Sequence, residues 1–470
     1  MHVSSLPGEY SCGAFGKEAL RFVDFLADCG FSYWQVLPFC MVDECNSPYK
    51  SYSTFGGNPY FVDLDTLFED GLLTREELDG ARQTTPYSCE FVRLYHTRFD
   101  LLRRAAGRVD DATREAIESF IAADPYLGAF CRFMSLKHAN GEKPWMQWTQ
   151  TEGDADTLFL WKFIQYEFFR QWARIKAYAN AHGVRIIGDI PIYVALDSCD
   201  VYSAKHLFCL NEDNTPSCVA GVPPDYFAED GQLWGNPLYD WDAMAADGYA
   251  WWCDRLRHAL TLFDGVRIDH FRGLESYWAV PGSAKTAREG AWRKGPGMAL
   301  IRKLQDVAGD RLIIAEDLGD ITPEAAALVR ESGFPGMRVF QFAFLDNDDN
   351  PHLPHNYVPN CVAYTGTHDN NTLLGYLWEM DDASRRRMLE YCGYTAADWT
   401  SGCPAVLRTV FQSAAGLVIL PIQDLLGYGS DTRLNIPGKA DGNWQYRVTR
   451  EQLNAIDRAR FRRLNTLYKR

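Results

Sequence analysis

The chain has 470 residues, 47% of them hydrophobic and 23% charged, and its formal net charge is −15 because 62 Asp and Glu outnumber 47 Lys and Arg. This composition is typical of a large globular protein and excludes disordered and fibrous classes. The acidic balance argues against nucleic acid or an anionic membrane as a partner. The sequence has no run of 18 apolar residues and no secretory signal, so we expect a cytoplasmic protein.

Short apolar runs, each followed by polar residues or glycine, predict buried strands along the chain. They are the fragmentary pair His2-Val3 and residues 33–37, 185–189, 265–269, 312–316, 337–342, 362–365 and 417–421. Apolar residues at three-to-four spacing predict helices between them, over residues 17–29, 160–181, 249–262, 298–307, 323–330 and 406–414. Thr322 before Pro323 is a typical helix start, since a capping hydroxyl precedes a proline at the first helical position.

Strand and helix therefore alternate about eight times, which favours a TIM (β/α)8 barrel formed by the whole chain, 1–470. The alternative is an open doubly wound sheet, but no glycine-rich phosphate loop follows the first predicted strand. Two segments are too long for barrel loops. We expect a helical insertion over 65–157, after the second strand, and an insertion over 195–241, after the third, that carries a lid loop.

Three predicted strands end in ionisable groups, at the barrel end where chemistry is expected. Strand alternation places Arg267 beside Asp269, and the guanidinium should keep this carboxylate ionised. The same alternation groups Glu316 with an apolar residue, Ile314, which should raise the pKa of Glu316 toward that of a general acid. A carboxylate nucleophile and a protonated carboxyl are what retaining glycoside chemistry needs. Asp369, with His368 as a neighbouring donor, is a third candidate.

Two alternatives to catalysis remain open for these acids at this point. A carboxylate at a strand end often caps the next helix. Three acids at the end of a barrel also suit a magnesium site of the enolase type. The 13 scattered cysteines lack a Cys-x-x-Cys spacing and favour reduced core thiols over disulfides or zinc.

The residue sequences of these motifs resemble those of a known family, and the resemblance covers almost the whole chain. Residues 265–273 (GVRIDHFRG), 315–319 (AEDLG) and 365–370 (TGTHDN) resemble, in order and spacing, signature segments of the amylomaltases, the 4-α-glucanotransferases of glycoside hydrolase family 77. Further similar segments are 5–8 (SLPG), 34–38 (WQVLP), 47–49 (SPY), 188–194 (GDIPIYV), 221–227 (GVPPDYF), 231–237 (GQLWGNP), 294–297 (KGPG) and residues Arg433, Asn435, Asn443 and Trp444. Family members usually carry more residues before the SLPG segment, so we expect a clipped first strand.

The resemblance implies roles for individual residues. It makes Asp269 the nucleophile that forms a β-glucosyl-enzyme, Glu316 the acid and then the base, and Asp369 the transition-state stabiliser. It implies substrate binding by Arg267, His368, Asp189, Tyr49, Tyr226, Phe227, Trp234 and Asn236. For the lid aromatics, the alternative is that they merely anchor the loop in the core. The family needs no metal or organic cofactor, which argues against the magnesium site.

The function expected from this resemblance is transfer of α-1,4-glucan segments between maltooligosaccharides. Transfer requires that water be kept from the covalent intermediate until an acceptor sugar arrives, and a lid with aromatic platforms suits that requirement. The alternatives are an α-glucan hydrolase on the same barrel and a non-catalytic α-glucan-binding protein. A protein that had lost turnover should have lost one of the three carboxylates, and all three are present.

Overall fold

The computed structural model describes residues 1–43, 45–224, 229–345, 349–439 and 441–470. Eleven strands lie in these ranges: β1 (Tyr33–Gln35), β2 (Arg185–Ile190), β3 (Cys218–Val222), β4 (Gln232–Pro237), β5 (Gly265–Ile268), β6 (Ser276–Pro281), β7 (Ala291–Lys294), β8 (Leu312–Ala315), β9 (Gly336–Val339), β10 (Cys361–Tyr364) and β11 (Leu417–Ile419).

Seven of these strands form one sheet in the order β1-β2-β5-β8-β9-β10-β11, and every neighbouring pair is parallel. Spatial order follows chain order and the sheet curls into a nearly closed barrel. An open doubly wound sheet would reverse its strand order at a switch point, and this sheet does not. The predicted TIM-barrel class is confirmed.

The predicted first strand is wrong. Val3–Ser5 is a 3₁₀ turn, in which the Ser5 N–H donates to the His2 carbonyl at 3.1 Å and the Leu6 N–H to that of Val3 at 3.0 Å. A two-residue apolar run is too short to sustain a ladder of hydrogen bonds. The chain start instead contacts the segment around β1: the indole N–H of Trp34 donates to the Met1 carbonyl at 2.7 Å, and the Leu37 N–H donates to His2 Nδ1 at 3.2 Å.

The chain also forms eighteen helices within the described ranges. They are α1 (Lys17–Cys29), α2 (Leu64–Glu69), α3 (Arg75–Gly80), α4 (Phe91–Ala106), α5 (Asp111–Ala122), α6 (Pro125–Ala139), α7 (Ala155–Ala181), α8 (Cys199–Ser203), α9 (Trp241–Ala246), α10 (Ala250–Leu262), α11 (Met298–Ala308), α12 (Pro323–Ser332), α13 (Leu373–Glu379), α14 (Asp382–Tyr391), α15 (Cys403–Phe411), α16 (Ile422–Leu426), α17 (Arg450–Ala455) and α18 (Arg458–Tyr468). Thr322 caps α12, since its side chain accepts the Ala325 N–H at 3.2 Å. None of the described helices has the length and hydrophobicity needed to cross a membrane.

Strand alternation explains why the site lies at one end of the barrel. One set of side chains forms a cluster of its own (Ile187, Ile314, Met337, Val339, Val362 and Tyr364), and the other set, which includes Val266, Ile268 and Ile313, joins the large core that contains the helices. Two residues further along the first set, at the carboxyl ends of β2 and β8, stand Asp189 and Glu316. The barrel interior therefore changes from apolar to acidic where the strands end.

Two long connections carry the remaining elements. Helices α2 to α7 lie between β1 and β2, while α8, β3 and β4 follow β2. Strands β3 and β4 belong to a second, antiparallel sheet in the order β4-β3-β6-β7. The insertions over 65–157 and 195–241, and the lid function of the second, stay predictions.

Candidate active site

Arg267 joins two carboxylates at the centre of the site. Its guanidinium donates to Asp189 Oδ2 at 2.7 Å and to Asp269 Oδ1 at 2.6 Å. The Arg267 and Asp189 side chains are 5% and 0% exposed, whereas that of Asp269 is 30% exposed. Burial would lower the pKa of Arg267, but the two carboxylates outweigh burial and raise it well above its usual value. Asp269 thus remains partly open to solvent while a permanent cation holds one of its oxygens.

Glu316 is close enough to Asp269 to feel its negative charge, and two backbone amides bind its carboxyl group. Its Oε2 accepts the His270 backbone N–H at 2.6 Å and its Oε1 that of Leu318 at 2.9 Å. Burial first, and then the negative charge of Asp269, raise the pKa of Glu316 to about 7, against the opposing effects of Arg267 and the two amides. The carboxyl can therefore hold a proton near neutral pH and release it readily, as an acid/base catalyst must.

Asp369 is held from two sides. Its Oδ1 accepts the side-chain N–H of Asn435 at 2.6 Å, and its Oδ2 lies 3.3 Å from His368 Nε2. Burial opposes ionisation of Asp369, but His368 and Asn435 outweigh it and hold the pKa of this carboxyl below its usual range. The same pairing, against the effect of burial, raises the pKa of His368. Asp369 is therefore an anion whose side chain remains 48% exposed.

Tyr49 connects the Arg267–Asp189 pair with the His368–Asp369 pair. Its hydroxyl donates to Asp189 Oδ2 at 2.7 Å, and its ring stacks on His368 with centroids 5.0 Å apart. Burial and the charge of Asp189 raise the pKa of the Tyr49 hydroxyl well above its usual value, so it keeps its proton. Trp444 packs against both rings, at 6.0 Å from Tyr49 and 5.8 Å from His368. The structure thus brings together Tyr49, Asp189, Arg267, Asp269, His368 and Asp369.

The predicted lid residues are only partly placed. Trp234 on β4 is 39% exposed, and its ring lies 5.0 Å from that of His270. Asn236, on the same strand, donates its side-chain N–H to the Val194 carbonyl at 2.8 Å, so this amide braces the loop after β2. Tyr226 and Phe227 lie outside the described residues. Substrate binding by all four stays a prediction.

Sequence reasoning missed three contacts of this site. Asn435 and Arg433 are among the positions that resemble the family, but the sequence predicts no role for them. In the structure Asn435 binds the Asp369 carboxylate, and Arg433 donates to the Asp369 carbonyl at 2.6 Å. His270, whose amide binds Glu316, is likewise only a member of a motif. Their one signal in the sequence is membership of the similar segments. Among the described residues, no group of three or more His, Cys, Asp or Glu is arranged so that it could hold a metal ion.

Comparison with known proteins decides the family. A family model described as 4-alpha-glucanotransferase matches residues 1–453. The chain belongs to the 4-alpha-glucanotransferase family. It is 42% identical to the 4-alpha-glucanotransferase of Streptococcus pneumoniae serotype 4 over 488 aligned positions, which cover 100% of this chain and 96% of that protein. It is also 42% identical to the enzyme of Thermus thermophilus, with 98% and 96% of the two chains covered.

A solved structure agrees with these relatives. The amylomaltase from Streptococcus agalactiae in complex with acarbose superposes with a TM-score of 0.95 at 34% identity, covering 100% of this chain and 98% of that one. The resemblance and the predicted class of enzyme are therefore confirmed: this family member is an enzyme of the 4-alpha-glucanotransferase type.

Proposed function

We propose that this 4-alpha-glucanotransferase moves α-1,4-glucan segments between maltooligosaccharides with retention of configuration, through a covalent β-glucosyl-enzyme on Asp269. The observation that carries the proposal is the combination of a partly exposed, Arg267-bound Asp269 with a Glu316 whose pKa is raised to about 7. Retaining catalysis needs one carboxylate that can attack and one carboxyl that can donate a proton.

In the first half-reaction, Glu316 gives its proton to the glycosidic oxygen while the bond from that oxygen to C1 of the donor sugar breaks. An Asp269 oxygen forms the new bond to C1. Arg267 holds the other side of this carboxylate, which fixes the direction of attack. In the second half-reaction an acceptor 4-hydroxyl gives its proton to Glu316 and attacks C1, and Asp269 leaves as a carboxylate.

The remaining polar groups suit the sugar at the point of cleavage. Asp189 Oδ1 is buried and has no hydrogen-bond partner among the described residues, and a sugar hydroxyl that reached it on binding would supply the missing donor. Tyr49 stacks on His368 and donates to the other Asp189 oxygen, which fixes both groups before substrate arrives. Asp369 is an anion and supplies negative charge where an oxocarbenium-like transition state develops positive charge.

Transfer rather than hydrolysis is attributed to the lid. Trp234 presents a half-exposed ring near the turn that follows Asp269, where an acceptor sugar could stack and displace water. The proposed partners are maltooligosaccharides and other α-1,4-glucans. The cytoplasmic location, the independence of cofactors and the exclusion of nucleic acid and membranes stay predictions.

Chain-length analysis of products from pure maltotriose tests the proposal. We expect free glucose together with a ladder of longer oligomers. Glucose and maltose alone, without lengthening, would identify the α-glucan hydrolase instead. Asp269→Asn should abolish both products while the fold and glucan binding persist. Asp320→Asn is the control for loss of a carboxylate at this end of the barrel, because Asp320 is exposed and lies in the segment after β8, four residues beyond Glu316. Near-normal activity of Asp269→Asn would refute the assignment of the nucleophile.

A further inference from the structure

His270, the residue after the proposed nucleophile, has a backbone conformation that most residues avoid. Its φ and ψ are 50° and 46°, in the left-handed region. In that region the Cβ of an L-residue crowds its own backbone, so Gly adopts it readily, Asn, Asp and His adopt it less often, and other residues adopt it rarely. The contacts of the His270 amide and ring show what stabilises this turn.

The turn has a direct effect at the acid/base residue. It points the His270 N–H at Glu316 Oε2, 2.6 Å away. The next amide, that of Phe271, donates to the Glu316 carbonyl at 3.1 Å, and the Glu316 N–H donates to the Ile268 carbonyl at 3.1 Å. The ends of β5 and β8 are therefore joined through Glu316 on both its main chain and its side chain.

The ring of His270 is fixed by the lid and by a tight neighbour. Trp234 on β4 packs edge-to-face against it, with centroids 5.0 Å apart and planes at 79°. A Cβ built on Gly273 would lie 3.1 Å from His270 Cδ2, so little room remains beside that edge of the ring. Burial lowers the pKa of the ring to about 4, although Asp269 opposes this shift and Arg272 adds to it. The ring is thus neutral near pH 7.

From these contacts we infer that His270 is a positioning residue that links the lid to the acid/base group. Trp234 holds the ring, the held ring keeps the left-handed turn, and the turn keeps the His270 N–H on Glu316. The inference rests on the proposed role of Glu316 and assigns no direct contact with substrate to His270.

The sign of the effect follows from the groups around Glu316. The His270 N–H stabilises the ionised carboxylate, as do the Leu318 N–H and Arg267, whereas burial and Asp269 favour the protonated form. Loss of the His270 hydrogen bond should therefore raise the pKa of Glu316 and misplace its oxygen. The alkaline limb of the pH profile should then move upward while the rate falls.

A series of His270 variants separates the turn from the ring. His270→Gly and His270→Asn tolerate the left-handed region, whereas His270→Ala and especially His270→Val do not. We expect kcat/KM for maltotriose consumption within about threefold of wild type for Gly and Asn, and a loss on the order of tenfold or more for Val, with Ala between them. The alkaline limb should move upward in the same order.

Activity that follows the size or polarity of the side chain, with Gly worst, would overturn the inference, and so would a flat series. If His270→Val does not fold, as judged by circular dichroism, the ranking of Gly, Asn and Ala decides. Trp234→Ala tests the part of the inference that concerns the lid. It should shift the alkaline limb of the pH profile in the wild-type background but not in the His270→Gly background, because Gly keeps the left-handed turn without support from Trp234. Equal shifts in both backgrounds would remove the lid from the inference.

The readout is total consumption of maltotriose, so it holds whether the products arise by transfer or by hydrolysis. The Glu316→Gln variant separates the inference about His270 from the proposed function. If this variant is inactive and the His270 series is flat, the inference fails and the proposed function stands. If Glu316→Gln retains activity, the proposed function itself fails.

Discussion

Asn435 offers a quantitative test of how Asp369 is held. The Asn435→Ala substitution removes the 2.6 Å hydrogen bond to Asp369 Oδ1 and leaves the His368 contact in place. A hydrogen bond to a charged group contributes about 1.5–3 kcal/mol. Because the Asp369 side chain is 48% exposed, water can partly replace the lost donor. We therefore take the lower end, about 1.5 kcal/mol, which corresponds to roughly a tenfold loss in kcat/KM.

The loss should fall mainly on kcat, because the proposed role of Asp369 is realised in the transition state. Initial rates of glucose release from maltotriose give kcat and KM separately. Asn435→Asp should be worse than Asn435→Ala, since it places a second carboxylate against the first. Asn443→Ala is the control for loop damage: Asn443 braces the same loop through Ile436 and Lys439 without touching Asp369. Wild-type rates for Asn435→Ala, or equal losses for Asn443→Ala, would refute the reasoning.

Four further outcomes are expected. Trp234→Ala should raise the ratio of hydrolysis to transfer, measured by product chain length. Trp292→Ala should leave this ratio unchanged, because Trp292 is 45% exposed on β7 of the same sheet. An unchanged ratio in Trp234→Ala would contradict the role of the lid. Because the protonated form of Glu316 is needed and burial raises its pKa to about 7, kcat/KM should fall as pH rises through about 7; a profile flat to higher pH would count against this acid. In Asp269→Asn the pKa of Glu316 should drop, as followed by NMR titration of the carboxyl carbon; an unchanged pKa would show that Asp269 does not act on Glu316. Gly188→Ala should lower the free energy of unfolding by about 1–3 kcal/mol, because the added Cβ would lie 2.1 Å from the Phe263 ring. Gly80→Ala should not destabilise the protein in thermal unfolding, because no atom lies near the added Cβ. Equal stabilities of the two variants would refute the steric argument.

The barrel could be predicted because its strands carry a strong local signal. Each central strand is buried on both faces, so it appears in the sequence as an apolar run of four to six residues that ends in a polar group. Helix α1 matches its predicted bounds, 17–29, because an amphipathic pattern ends at Gly30, which caps the helix with φ at 76°.

The two edge strands of the second sheet, β4 and β7, escape prediction because they carry no such signal, although the inner strands β3 and β6 are more buried. All four residues of β7 are exposed, and so are four of the six residues of β4.

The pattern predicts helix α15 over 406–414, but the helix spans Cys403–Phe411, because Pro404 lies within its first turn rather than before it.

The placement of the candidate acids at one end of the barrel could be predicted, but the groups that shift their pKa values could not. Alternation places Arg267 beside Asp269 two residues away, so that pair follows from the sequence. The Asn435 contact joins residues 66 positions apart, and the left-handed turn at His270 depends on packing against a different sheet. Contacts of this kind are fixed by tertiary structure alone.

The balance of charges around Glu316 suits both half-reactions of the proposed mechanism. The negative charge of Asp269 raises the pKa of Glu316, which favours the protonated form that acts as an acid. In the proposed intermediate Asp269 is bonded to the sugar and carries no charge, so that repulsion ends. The His270 and Leu318 amides and Arg267 remain, and all three favour the ionised form. The proposed mechanism therefore requires the pKa of Glu316 to fall when a base is needed and to rise again when the acceptor releases Asp269.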